Sequence, residues 1–131
     1  MEKNGVSFYN DSKATDMGEM VSSIKSFKQP VILIAGGKDI EELEYEELAA
    51  DVIESSRVLV LVGESKERMN RALQEHGQTY IVGSFEESIL FAYQKSRTGD
   101  VILLSPGAPA TDFFRDYEER GNYYKKLVYQ L

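Results

Sequence analysis

Val31-Ile32-Leu33-Ile34-Ala35 breaks off abruptly at Gly36-Gly37-Lys38-Asp39. Five apolar residues without polar alternation suit a parallel strand buried on both faces, and the glycines suit the tight turn that must follow it. Three more runs repeat the pattern: Val58 to Val62, Tyr80 to Val82 and Val101 to Leu104. Helical stripes lie between them. Leu48, Ala49, Val52 and Ile53 form one; Met69, Ala72, Leu73 and His76 form a second, with Gly77 as its expected C-cap. Phe85, Ile89, Ala92 and Tyr93 form a third, opened by Ser84 with Glu87 three residues on, a capping box. An earlier helix reads from Asp16 through Met20 and Ile24 to Phe27, and a last one carries Tyr124, Leu127, Val128 and Leu131. Alternation of this kind predicts an α/β fold: a Rossmann-like open, mostly parallel sheet with helices on both faces. Val6 to Tyr9 is expected to add an edge strand at the N-terminus.

Length and charge narrow the classes. The 131 residues fit one domain, residues 1–131, with a core able to bury about two thirds of the unfolded surface. The net charge of −7 argues against nucleic acid, whose phosphates need clustered Lys and Arg. The absence of cysteine removes disulfides, thiolate nucleophiles and Cys-based metal sites. No apolar run approaches the length of a membrane span. The expectation is a cytoplasmic protein, monomeric, with neither nucleic-acid nor membrane partner.

In an open α/β sheet, ligands bind beyond the carboxyl ends of the strands. Four loops lie there: Gly36 to Asp39, Gly63 to Ser65, Gly83-Ser84 and Ser105 to Thr111. None is a phosphate cradle. Gly37-Lys38 runs into Asp39 instead of Ser or Thr, and no Gly-x-Gly-x-x-Gly opens a helix. The richest polar segment is Tyr9-Asn10-Asp11-Ser12-Lys13-Ala14-Thr15-Asp16, which sets a carboxylate, a cation and hydroxyls ahead of a helix N-terminus. Its plain alternative is a polar turn with Thr15 as N-cap. His76, beside Gly77, reads as a helix-end residue rather than a catalyst. The acids from Asp39 to Glu47 read as a solvated helix start rather than a metal site, and Tyr123, Tyr124 and Tyr129 as packing residues.

Three segments carry a resemblance. Asn10-Asp11-Ser12-Lys13-Ala14-Thr15 resembles the segment opening the C-terminal domain of the D-glutamate-adding Mur ligases. Ile32 to Asp39 resembles that family's strand and glycine loop. Leu103-Leu104-Ser105-Pro106-Gly107-Ala108, followed by Phe114-Arg115-Asp116-Tyr117-Glu118-Glu119-Arg120-Gly121, resembles its last block. The resemblance implies a ligase that joins D-glutamate to UDP-N-acetylmuramoyl-L-alanine, using ATP and Mg2+ to form an acyl phosphate. The UDP-binding and ATP-binding domains would lie outside this chain, which would bring the amino acid. Alone, it would hold no catalytic residue or metal and no tightly bound cofactor. Asp11 would contact the nucleotide ribose and Lys13 the phosphates on domain closure; Thr15, Thr111 and Tyr117 would belong to the D-glutamate pocket. Two positions depart from the family: Ile40 stands where a lysine faces the substrate carboxylate, and Ala110 where a serine binds it. Lys38 and Thr111 are the residues expected to fill those roles. The competing reading is a free-standing Rossmann-like binding or regulatory module without ligase activity.

Overall fold

The computed structural model describes residues 1–131, with strands β1 (Glu2–Lys3), β2 (Val6–Asn10), β3 (Val31–Ala35), β4 (Val58–Leu61), β5 (Thr79–Ile81) and β6 (Val101–Leu104). Its helices are α1 (Met17–Lys25), α2 (Ala49–Ser55), α3 (Lys66–Ala72), α4 (Phe85–Lys95) and α5 (Tyr117–Tyr129). The strands form one six-stranded sheet in the order β1-β2-β6-β3-β4-β5. All neighbours are parallel except β1 and β2, which are antiparallel.

Both faces of the sheet are covered, which explains the unbroken apolar runs. Val31, Leu33 and Ala35 pack with Leu59, Leu61 and Leu103 under Met20 and Ile24 of α1, Val52 of α2 and Met69 of α3. Ile32 and Ile34 face the other way, with Val58, Val60, Ile102 and Leu104, under Ile89 of α4 and Tyr124 and Val128 of α5. Two apolar layers built from alternate residues of one strand leave no room for a polar alternation. The amino ends of the strands are tied by Arg57, which pairs with buried Asp100 and donates to the Lys95 carbonyl.

Several expectations are corrected. Val6–Asn10 is not an edge strand: β6 lies on one side of it and β1 on the other. The edge is the two-residue β1, folded back by a turn whose central residues Asn4 and Gly5 both have positive φ, 52° and 79°. Asn-Gly is the strongest short-range hairpin signal, because both positions must be left-handed. α1 is capped by Asp16, which accepts from the Glu19 amide at 2.9 Å, so Thr15 is not the cap. α3 ends at Ala72, and the chain then tightens into a four-residue turn from Leu73 to His76, so Gly77 does not cap it. His76 is buried instead: its Nδ1 accepts from the Gln78 amide and its Nε2 donates to the Ser56 carbonyl at 2.7 Å. Those partners fix the ring's orientation and give it a structural role. Asp39 to Glu47 form turns, not a helix start. Buried Tyr45 anchors them, with the Arg68 guanidinium 4.7 Å from its ring centre. The Ser84 cap holds, as its hydroxyl accepts from the Glu87 amide at 3.1 Å, but the Glu87 carboxylate accepts from the Gly83 amide at 3.2 Å rather than from Ser84. Tyr124 is buried and its hydroxyl donates to the Ile102 carbonyl, whereas Tyr129 is exposed.

No helix is long and apolar enough to cross a membrane. Leu33, fully buried at the centre of the sheet, tests the packing. Leu33→Ala should cost about 2–5 kcal/mol in a urea melt, the range for emptying a rigid core site; a loss below about 1 kcal/mol would mean that the two layers relax into the space.

Candidate functional site

The crossover through α4 returns the chain to the middle of the sheet, so β6 lies between β2 and β3. Asn10 pairs with Leu104, and Leu104 with Ile34. Three carboxyl ends therefore stand side by side, and with them the three loops that the sequence singles out.

Backbone hydrogen bonds join these loops. The Asp11 amide donates to the Leu104 carbonyl at 2.7 Å, and the Gly107 amide to the Ala14 carbonyl at 2.9 Å. The Gly36 amide donates to Pro106 and the Lys38 amide to Pro109, at 2.9 and 2.8 Å. From the β4 side, the Gly37 amide donates to the Ser65 hydroxyl at 3.0 Å, and the Ser65 amide returns a bond to the Gly37 carbonyl at 2.8 Å. Gly36 makes the approach possible, with φ +116° and so little space that a Cβ would overlap the Val62 carbonyl oxygen.

The candidate residues occupy this junction in two groups. Asp11, Lys13 and Tyr117 line one polar pocket of about 220 Å³ between the β2 loop and α5, together with Lys125, which sequence reasoning missed. The Asp11 carboxylate accepts from the Ser105 hydroxyl at 3.1 Å. Lys13 is exposed and its ammonium makes no ion pair or hydrogen bond within the chain, which leaves it available to an anion. Lys38, on the glycine loop of β3, and Thr111, at the far end of the β6 loop, do not line that pocket. Lys38 is paired with Glu64 at 3.1 Å, and Glu64 also accepts from the Asp39 amide. Thr111 is exposed, while Thr15 stands half-buried beyond Ala14. Ala110 is buried and its carbonyl accepts from the amides of Phe113 and Phe114. The Ile40 carbonyl is held by Arg68 Nη1 at 3.0 Å, and the same nitrogen binds Asp39 at 2.6 Å.

The residue that most shapes the site was not singled out from sequence. Arg120, 2% exposed, donates from Nε to the Ser12 hydroxyl at 2.9 Å and from Nη2 to the Ser12 carbonyl at 2.8 Å. Burial lowers its pKa to about 10, partly opposed by the Asp112 charge, so the guanidinium stays charged at neutral pH. A signal was present: Arg120, Tyr124 and Val128 are four residues apart on α5, which sets an arginine on the helix's buried stripe.

A model for the Mur ligase glutamate ligase domain matches residues 1–107. The chain belongs to this family. It is 52% identical over 124 residues to UDP-N-acetylmuramoylalanine--D-glutamate ligase of Bdellovibrio bacteriovorus, covering 95% of the chain and 27% of that protein. It is 43% identical over 130 residues to the ligase of the same name from Geotalea uraniireducens, covering 99% of the chain and 28% of that protein. The chain thus spans little more than a quarter of the length of these relatives. The fold matches a solved UDP-N-acetylmuramoyl-L-alanyl-D-glutamate--2,6-diaminopimelate ligase with a TM-score of 0.63 at 14% identity, over 82% of this chain and 25% of that one. At that identity the likeness concerns the fold alone.

Gly36→Ala tests the junction. The strained φ and the overlap with Val62 should together cost at least about 2 kcal/mol in chemical denaturation. A neutral substitution would show that the glycine loop is free to move away from β4.

Proposed function

We propose that this chain is the amino-acid-binding domain of an ATP-dependent ligase that adds D-glutamate to UDP-N-acetylmuramoyl-L-alanine in the cytoplasm. Residues 1–131 form one domain of a monomeric enzyme whose UDP-sugar and triphosphate sites lie on others. What supports the reading most is the convergence of the Asp11–Thr15, Gly36–Lys38 and Ser105–Thr111 loops in a chain 52% identical to a ligase of that name.

ATP would supply the phosphoryl group that turns the alanyl carboxylate of UDP-N-acetylmuramoyl-L-alanine into an acyl phosphate, leaving ADP, and the amine of D-glutamate would then attack that carbonyl and expel inorganic phosphate. The chain's own residues fit a supporting part. To a nucleotide held elsewhere the domain offers one carboxylate, Asp11, already oriented by Ser105, and one unpaired cation, Lys13. Asp11 would accept from the ribose and Lys13 approach the phosphates as the domain swings in, shielding the hydrolysable intermediate from water. Thr15, Lys38, Thr111 and Tyr117 would receive D-glutamate. Lys38 would stand in for the cation absent at Ile40, exchanging Glu64 for a substrate carboxylate. That exchange is inexpensive, because a half-exposed ion pair contributes about 1 kcal/mol or less.

Steady-state kinetics of the full-length ligase test this assignment. Lys13→Ala should lower kcat by an amount worth roughly 2–4 kcal/mol, with a smaller effect on the KM for D-glutamate. Lys38→Ala should do the opposite, raising that KM about tenfold or more, as for a lost charge-assisted hydrogen bond of about 1.5–3 kcal/mol. A panel of D-amino acids should leave D-glutamate preferred. Indifference to Lys38, or preference for another acceptor, would overturn the substrate assignment.

A further inference from the structure

Arg120 is buried where the site's loops meet, yet no carboxylate is paired with it. Its fork closes on Ser12 alone, through the hydroxyl and the carbonyl. The Ser12 hydroxyl in turn donates to the Tyr117 carbonyl at 2.7 Å, and the Ser12 amide donates to Asn10 Oδ1 at 3.0 Å. Every hydrogen-bonding group of Ser12 is thereby engaged. The remaining nitrogen of the fork, Nη1, is buried without a partner. It faces the glycine loop: a Cβ on Gly37 would stand 3.0 Å from it and 3.2 Å from the Ala108 carbonyl. The next residue, Gly121, lets the β2 loop lie directly on α5, since a Cβ there would meet Asn10 at 2.8 Å and Ser12 at 3.2 Å.

An arginine kept only for packing would be a poor choice, because an apolar side chain of similar volume avoids the desolvation of a charge. What an apolar side chain cannot do is fix a neighbouring backbone in two directions at once. Ser12 lies between Asp11 and Lys13, the two residues assigned to the nucleotide, so a clamp on Ser12 sets the direction of both. We propose that Arg120, assisted by Gly121, is a positioning residue for the ligation. It holds Asp11 and Lys13 in the orientation that meets the nucleotide on domain closure, and it acts through Ser12 without touching substrate. This inference rests on the reading given under Proposed function.

The experiment uses the full-length ligase with Arg120→Lys, which keeps a cation but loses the fork. The variant should lower kcat about tenfold or more while the KM for D-glutamate moves less than about threefold. On this background Lys13→Ala should add less than about a further twofold loss, whereas Lys38→Ala should keep its full effect on KM, because coupled residues are non-additive and distant ones additive. Hydrogen exchange of the same protein should show amides 11–14 losing protection while those of β3 and β6 keep theirs. Ser12→Ala carries the same cycle if Arg120→Lys does not fold. Losses that simply multiply with Lys13→Ala, or unchanged protection at 11–14, would overturn the proposal. A wild-type ligase that forms no D-glutamyl product would count against the parent reading alone, and the exchange pattern would still decide the clamp.

Discussion

Taking a guanidinium out of water costs several kcal/mol, and the fold recovers that only if the donors find acceptors in good geometry. Arg120 meets the condition with two of its three nitrogens, both on Ser12. That contact sits at the carboxyl end of the sheet, next to the end of β2. It fastens α5 to the loop after β2, although 108 residues of chain separate the partners. Beside them runs the β6 loop, whose Gly107 amide donates to the Ala14 carbonyl and whose Pro106 and Pro109 carbonyls hold the glycine loop of β3. Loss of the clamp would free the segment carrying Asp11 and Lys13 while leaving the two apolar layers of the sheet in place.

The sheet itself was readable because its chemistry is local. Val31 to Ala35 suits a strand covered on both sides, and the stripes on α1, α4 and α5 show which face of each helix is buried against it. Strand order was less accessible. The alternation in Val6-Ser7-Phe8-Tyr9-Asn10, with Tyr9 exposed, describes a strand near the margin of the sheet, and the sequence reading took it for the margin itself. The Asn4-Gly5 turn, which adds β1 outside it, carried a signal that went unused. His76 and the acidic run were misplaced for another reason. Each is governed by a partner distant in sequence, Ser56 for the imidazole and Arg68 for Asp39, and spacing alone cannot reveal such partners.

The site shows the same division. Asp11, Lys13 and Thr15 announced themselves through a polar segment ahead of a helix, and the structure places the first two in one pocket with Tyr117. Lys38 and Thr111 lie outside that pocket while Tyr117 lines it, so the residues assigned to the amino acid flank those assigned to the nucleotide. That adjacency suits a domain presenting one substrate to another across a closing interface. It also gives Ile40 a physical account. Its backbone is tied down by Arg68, and Lys38, two residues earlier, carries a cation held only by an ion pair with the half-exposed Glu64.

A crystal structure of the full-length ligase with D-glutamate and a nucleotide bound tests the central claim most directly. The account predicts the amino acid at the junction of the Thr15, Lys38 and Thr111 loops, with Lys38 turned from Glu64 to a substrate carboxylate. It also predicts Lys13 directed at the phosphates and Arg120 still closed on Ser12. D-Glutamate bound away from these loops, or a closed complex in which Arg120 has released Ser12, would contradict it.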